Sequence, residues 1–187
     1  MATAAKIQVT RSSRVNSPKA RASYPHIFKP TAFQGEGDPK YSISLLVPKS
    51  EKKFIDDLRA AQDAAIKELY PTKVPTNFER WGITDGDEVD DPAANGNWVI
   101  KASNKQRPRI VDAQSAEILD ELEVYGGCYV RASLNAKAYG TSQKGGVTLE
   151  LNVVQKVGDG TPFGGAAKAM TDAVNELGAY EASGEDW

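Results

Sequence analysis

Between Gly126 and Gly165 the chain reads GGCYVRASLNAKAYGTSQKGGVTLELNVVQKVGDGTPFGG, two long alternating runs around a glycine-containing turn. Side chains alternate faces along a strand, so each run has two distinct sides. In the first run Cys128, Val130, Ala132, Leu134, Ala136 and Ala138 share one side, and Tyr129, Arg131, Ser133, Asn135, Lys137 and Tyr139 share the other. The second run, Val147 to Val157, is expected to bury Val147, Leu149, Leu151 and Val153, with Thr148, Glu150 and Asn152 opposite. A chain with this hairpin folds as an antiparallel sheet with one face on a core. Rings that stack and cations that meet phosphate are what a single-stranded nucleic acid requires. Exposed tyrosines are also ordinary packing on a pleated surface, so these strands alone leave both readings open.

A length of 187 residues is enough for one domain with a sizeable core, or one domain plus a tail. No apolar run approaches the roughly 20 residues of a membrane span. The N-terminus MATAAKIQVT lacks a signal-peptide core, so no membrane association is expected. The single cysteine, Cys128, excludes an intrachain disulfide and suits a reducing cytoplasm. One cysteine and one histidine (His26) cannot build a Cys/His zinc site, and neither metal nor cofactor is expected.

The net charge of −2 hides segregation by sign. Residues 1–49 carry net +6 and residues 98–111 net +4, whereas 50–97 and 112–126 each carry −5 and 166–187 carry −4. A pI near 5.5 argues against a strongly cationic duplex binder but permits a local basic groove.

Along the chain, Ile7 to Val15 begins a strand, and Asn16, Ser17 and Pro18 turn it. Lys19 to Phe33 is extended, interrupted by Pro25 and Pro30, and Tyr41 to Val47 is a clear strand. Ser50 is placed to cap a helix whose apolar stripe runs from Phe54 to Leu69, with Pro71 ending it. Residues 71–97 read as loop, and Ser115 to Leu122 as one or two helical turns. Trp98–Ser103 and Arg109–Val111 read as strands. The acidic run Asp85, Asp87, Glu88, Asp90, Asp91 lacks the spacing of a calcium loop and reads as a solvated acidic loop. Ala166 to Leu177 has weak helical character, and the chain beyond Gly178 cannot bury enough surface to order itself. Two domain segments follow: residues 1–165 and a C-terminal segment, 166–187. Three strands, a helix and further strands fit the OB fold, a mainly β, five-stranded Greek-key barrel with a helix between strands 3 and 4.

The phrases YPHIFKP, YSISLLVPK, NWVIKASNKQRPRIVD, YGGCYVRASLNAKAY and LNVVQKVGDGTPFGG, in this order, resemble a family of bacteriophage single-stranded DNA-binding proteins. The family is similar in plan to the replication single-strand binders of T-odd coliphages, and the resemblance spans roughly residues 5–165. It implies an OB-fold core, sequence-tolerant binding of single strands in replication and recombination, a host-cell cytoplasmic location, and an acidic, aromatic-ended tail that contacts replication enzymes such as polymerase, helicase or primase. Glu181, Glu185, Asp186 and Trp187 match that ending, although the tail is sparsely acidic. A homodimer is left open.

With the resemblance in view, Tyr129, Arg131, Lys137 and Tyr139 are the first candidates for DNA contact, beside the basic cluster Lys101, Lys105, Arg107 and Arg109. Tyr24, Phe28 and Lys29 come next, with Phe28 equally suited to the core. Trp98 is balanced between core and stacking platform. Trp81 and Phe33 are expected in the core, Cys128 as a buried thiol and His26 as structural. The chain has no P-loop, Rossmann glycine pattern or serine elbow, and is expected not to be an enzyme. The alternatives are a protein-interaction module and a magnesium-dependent nuclease using Asp85, Asp87 or Asp90.

Overall fold

The computed structural model describes residues 6–164 and 173–179. In chain order its elements are β1 (Gln8–Asn16), β2 (Ala20–Phe33), β3 (Glu36–Pro48), α1 (Lys52–Leu69), β4 (Asn77–Arg80), β5 (Ile83–Asp85), β6 (Asn97–Asn104), β7 (Arg109–Val111), β8 (Tyr129–Gly140) and β9 (Lys144–Gly158). Five of these strands close a ring. β2 pairs antiparallel with β3, and β3 with β6. β6 meets β9 in parallel at Ser103 and Glu150, β9 pairs antiparallel with β8, and β8 returns to β2 through Ala20 and Arg21. Closure removes the free edges that an open sheet would present. β1 lies antiparallel to β8 beyond the point where β2 leaves it, so β1 and the start of β2 are two pieces of one interrupted edge. The helix follows the third strand of the chain; on the closed ring alone it separates the second and third members. The pairing order is that of the OB barrel, with the helix one connection earlier on the ring than the expected place between strands 3 and 4.

The barrel interior is filled from the expected sides of the long strands. Val130, Ala132, Leu134, Ala136 and Ala138 of β8 meet Ile43, Leu45, Val47, Ile100 and Ala102, all buried. One end is sealed by α1, whose Phe54, Ile55, Leu58, Ala61, Ala65, Ile66 and Leu69 face the core. Gln62 is buried with them and donates from Nε2 to the Trp81 carbonyl at 2.9 Å, and Thr10 Oγ1 donates to the Ala65 carbonyl at 2.6 Å. These bonds tie the helix to β1 and to the β4–β5 connection. Cys128 is fully buried, and burial pushes its thiol above the ordinary range.

Several expectations are corrected. In β9 the inward side does not continue to Val153. Ser133 pairs with Val153 but Leu134 pairs with Leu151, so Asn152 is an extra residue that flips the parity. Val154 is buried instead, and Val153 is half-exposed. Phe33 is 81 % exposed because the β2–β3 hairpin turns there, at Gln34–Gly35, beyond the end of the barrel wall. Trp81 is 53 % exposed: its carbonyl is held by Gln62, but its ring lies outside the core. Ser50 does not cap α1, which starts at Lys52 behind Glu51 with no side-chain cap. Residues 71–97 are not all loop, since β4 pairs with β9 and β5 with β6. Between Ser115 and Leu122 the chain forms a bridge from Glu117 to Val111, followed by a 3-10 turn over Glu121–Glu123. In the C-terminal segment residues 173–177 are helical; Glu181, Glu185, Asp186 and Trp187 lie outside the described residues.

Candidate nucleic-acid interface

The outward side of β8 carries Tyr129, Arg131, Ser133, Asn135, Lys137 and Tyr139 in a line about 30 Å long. Two hollows open along it. The larger, about 670 Å³, is lined by Arg11, Ser12 and Arg14 of β1, Lys40 of β3, the stretch Ser103–Gln106, Asn135 and Lys137 of β8, and Thr148, Glu150 and Asn152 of β9. Five cations and one carboxylate line it, so it attracts anions. The smaller, about 240 Å³, lies around Asn16, Val111, Ser115, Arg131, Ser133 and Val153. Ser133 and Asn135 are successive outward residues of β8, which makes the two hollows neighbours on one surface.

Local sequence explains how β1 delivers its cations. Its pairing with β8 is irregular between Arg11 and Arg14. The irregularity is bridged by a side chain, with Ala136 N–H donating to Ser12 Oγ at 2.9 Å. Arg11 thus stands opposite Lys137, and Arg14 opposite Asn135. Like charges directly across a strand pair repel. Here Glu150 lies between them. Its carboxylate accepts Arg11 Nε at 2.7 Å, Arg11 Nη2 at 3.2 Å and Asn135 Nδ2 at 3.3 Å, with Lys137 Nζ at 4.0 Å. Burial by itself would raise this carboxyl; the Arg11 hydrogen bond and charge, the Asn135 amide and Lys137 outweigh it and hold Glu150 below its ordinary value. Asn135 is buried and accepts Asn152 Nδ2 at 2.7 Å, so the floor of the groove is a connected polar network.

At the other end of β8 the Tyr129 ring is flanked by Lys19 Nζ at 5.1 Å and the Arg21 guanidinium at 5.8 Å. Arg21 also lies 4.1 Å from the Phe163 ring and donates to the Gly127 and Thr161 carbonyls. Phe163 N–H in turn donates to the Gly126 carbonyl. The chain after β9 is therefore fastened beside Tyr129. Phe163 also packs against Leu46, Ala94 and Val99, a small apolar cluster apart from the main core.

The structure brings some sequence candidates together and separates others. Lys105 and Lys137 line the same groove, and Lys105 Nζ pairs with Asp38 at 2.6 Å. Arg131 lines the adjacent hollow. Arg107 lies over the Phe28 ring at 5.5 Å, and Phe28 is half-buried against the core. Lys29 pairs with Glu121 at 3.0 Å. Tyr24 is 69 % exposed and sits at a bulge in β2 with φ of 47°, a conformation that tyrosine seldom adopts. Lys101 is exposed on β6 outside the groove lining, and Arg109 is exposed on β7 beside Val153. Trp98 packs on the core at the far end of β6, with Arg59 5.3 Å and Lys49 5.7 Å from its ring. Tyr139 is half-buried over Gly146, its cross-strand partner; burial, then Glu79, raises its phenol. Arg11, Arg14, Lys40, Lys19 and Arg21 were not among the sequence candidates. Their signal was the net +6 of residues 1–49, which gives no hint of the strand that receives them.

The acidic loop has local work. Lys49 pairs with Asp85 at 2.6 Å and with Asp87, whose carboxylate also accepts Gly96 N–H. The Lys49 bond holds Asp85 low; the Gly96 amide, then Lys49, does so for Asp87. Among the described residues no three His, Cys, Asp or Glu side chains are grouped to hold a metal ion, and no helix is long and apolar enough to cross a membrane.

Barrel and groove together define an OB-fold protein with a cationic outer face of the kind that accommodates a nucleic-acid strand. The family model described as Enterobacter phage Enc34, ssDNA-binding protein matches residues 13–183, and the chain belongs to that family. The single-stranded DNA-binding protein from bacteriophage Enc34, solved in complex with ssDNA, is 30 % identical with a TM-score of 0.67, over 81 % of this chain and 89 % of that one. Protein p50 of Acyrthosiphon pisum secondary endosymbiont phage 1 is 29 % identical over 90 % of this chain and 96 % of its own length. The fold also matches gp2.5, the single-stranded DNA-binding protein of bacteriophage T7, with a TM-score of 0.57 at 19 % identity, over 79 % of this chain and 93 % of that one.

Proposed function

We propose that this chain binds single-stranded DNA without sequence preference, along the outer face of β8 and β9, and protects it during phage DNA replication and recombination in the host cytoplasm. The observation that carries the reading is the groove with five cations and one carboxylate on the outer wall of an OB barrel, in a chain whose relative at 30 % identity was solved with ssDNA. Cations along the groove track phosphates, Tyr129 supplies a ring face at one end of the β8 stripe, and Tyr24 offers a second exposed ring on β2. Most of the lining beyond the cations is Ser, Thr, Asn and Gln, which suits a chemically varied strand. Lys101, Arg107 and Arg109 extend the basic surface beyond the groove. The domain is residues 1–165, and the segment 166–187 is a tail that recruits replication enzymes through Glu181, Glu185, Asp186 and Trp187.

A fluorescence-anisotropy titration with matched single-stranded and duplex oligonucleotides tests this. The single strand is expected to bind more tightly, and log affinity to fall linearly with log salt at about 0.7 per phosphate contact. Equal affinity for both forms, or none for either, would refute the reading. Repeating the titration with magnesium and examining the oligonucleotide afterwards separates a binder from a nuclease.

A further inference from the structure

The groove holds a single carboxylate among its five cations, and simple electrostatics would count it as a defect. Its environment says otherwise. The Glu150 side chain is only 12 % exposed, and it is reached by donors from two neighbouring elements. Arg11 arrives from β1 through Nε and Nη2; Asn135 and Lys137 arrive from β8. Asn135 is itself fixed by Asn152. Arg11, by contrast, keeps 51 % of its side chain exposed, and Lys137 keeps 34 %.

A guanidinium has five N–H donors in a rigid fork. The side-on contact with Glu150 uses one on Nε and one on Nη2, leaving three directed away from the carboxylate. Lys137 stands directly across the β1–β8 pair from Arg11. Without an intervening anion these two cations would repel and disperse into solvent as mobile side chains. With it, both are held at one place.

We infer that Arg11 and Lys137 form one phosphate-binding subsite, and that Glu150 is the positioning residue that builds it. This rests on the proposed function and deepens it: the ligand group is a backbone phosphate of the single strand. The carboxylate also repels that phosphate, but the repulsion acts across an open groove and is screened by salt. The ordering of the two cations is a matter of geometry and hydrogen bonding, and is not lost in the same way. At moderate salt positioning outweighs repulsion, so removing a negative charge from a DNA-binding groove weakens binding.

The test compares the unmodified full chain, E150Q, R11Q and the R11Q/E150Q double variant by anisotropy with a thymidine oligonucleotide, with a thermal melt of each. E150Q is expected to bind about three- to tenfold more weakly, with a salt slope shallower by about 0.7, one phosphate contact. In the R11Q background the sign reverses. There Glu150 has lost its two guanidinium hydrogen bonds and keeps only the 4.0 Å contact to Lys137, so its repulsion of phosphate dominates and the double variant binds more tightly than R11Q. Should E150Q fail to fold, E150D keeps the charge while withdrawing it from Arg11, and is expected to lose affinity as well. An E150Q variant that binds as tightly as the unmodified chain, or more tightly, overturns the positioning role. So does an E150D variant with unchanged affinity. No binding by the unmodified chain would instead refute the proposed function, and the subsite with it.

Discussion

Tyr129 and Tyr139 occupy the same side of the same strand, and their surroundings give them different work. Tyr139 lies over Gly146, where an added Cβ would come within 2.7 Å of its hydroxyl and 2.9 Å of its ring. The glycine is the space the ring fills, an arrangement in which an aromatic covers a glycine across a strand pair. Tyr129 has cations beside it and the open stripe ahead. Tyr129→Ala is therefore expected to cost about 1–3 kcal/mol of single-strand affinity with the melting temperature nearly kept. Tyr139→Ala is expected to lower the melting temperature and leave the affinity of the folded protein largely unchanged. Anisotropy and a thermal melt on both variants check the pair; the opposite pattern would exchange their roles. The alternation of the strand puts both rings on one side, but nothing in the local sequence distinguishes them. Each stands opposite a glycine, Gly158 for Tyr129 and Gly146 for Tyr139, and only Gly146 has the ring of its partner tyrosine folded over it, a difference that appears only in the folded chain. Trp98 is similar: its neighbours Lys49 and Arg59 come from the end of β3 and from the helix, remote in sequence and adjacent only after folding.

At the scale of the element, β1 is the strand that makes the groove, and its attachment to β8 depends on serine side chains. Ser17 is 2 % exposed; its hydroxyl accepts the Ala132 N–H at 2.9 Å, and its own N–H donates to the Ala132 carbonyl at 2.8 Å. Ser17→Ala leaves a buried amide without an acceptor, at a cost of about 1–3 kcal/mol. Chemical denaturation is expected to show that loss, and an unchanged midpoint would mean that water or backbone movement satisfies Ala132. The strands of the ring were legible because a barrel wall must alternate, and the helix because its stripe repeats every three or four residues; β4 and β5, at four and three residues, are too short to show alternation and read as loop. Parity failed at Val153, where the extra Asn152 reverses it, since a bulge has no compositional mark in this sequence. Arg11 and Arg14 were missed as groove residues for a related reason. They are ordinary exposed cations on an N-terminal strand until the pairing with β8, more than a hundred residues away, sets Arg11 against Lys137 and Glu150 and Arg14 opposite Asn135.

Over the whole molecule, charge is sorted by sequence segment and then re-sorted by topology. Arg11, Arg14 and Lys40 from the basic first 49 residues converge with Lys105, just past β6, on one groove, while the net −5 of residues 112–126 lies in the connection between β7 and β8. The tail adds the last acidic group, and its point of departure bears on what it can reach. Phe163 is fastened to Gly126, and Arg21 holds Thr161 beside Tyr129, so the chain leaves the barrel at one end of the β8 stripe. On the proposed reading, the segment that continues from there starts beside Lys19 and Arg21, and covalent attachment raises the effective concentration of even a weak competitor. Deleting residues 179–187 removes Glu181, Glu185, Asp186 and the terminal Trp187. If the segment competes for the groove, removing its three negative side chains is expected to tighten single-strand binding at low salt. The gain should shrink as the Debye length falls from about 30 Å at 0.01 M to about 8 Å at physiological ionic strength. A titration of both forms across that range reads the difference directly. If the truncated and full chains bind equally at low salt, the tail does not compete for the groove, and its acidic residues serve elsewhere.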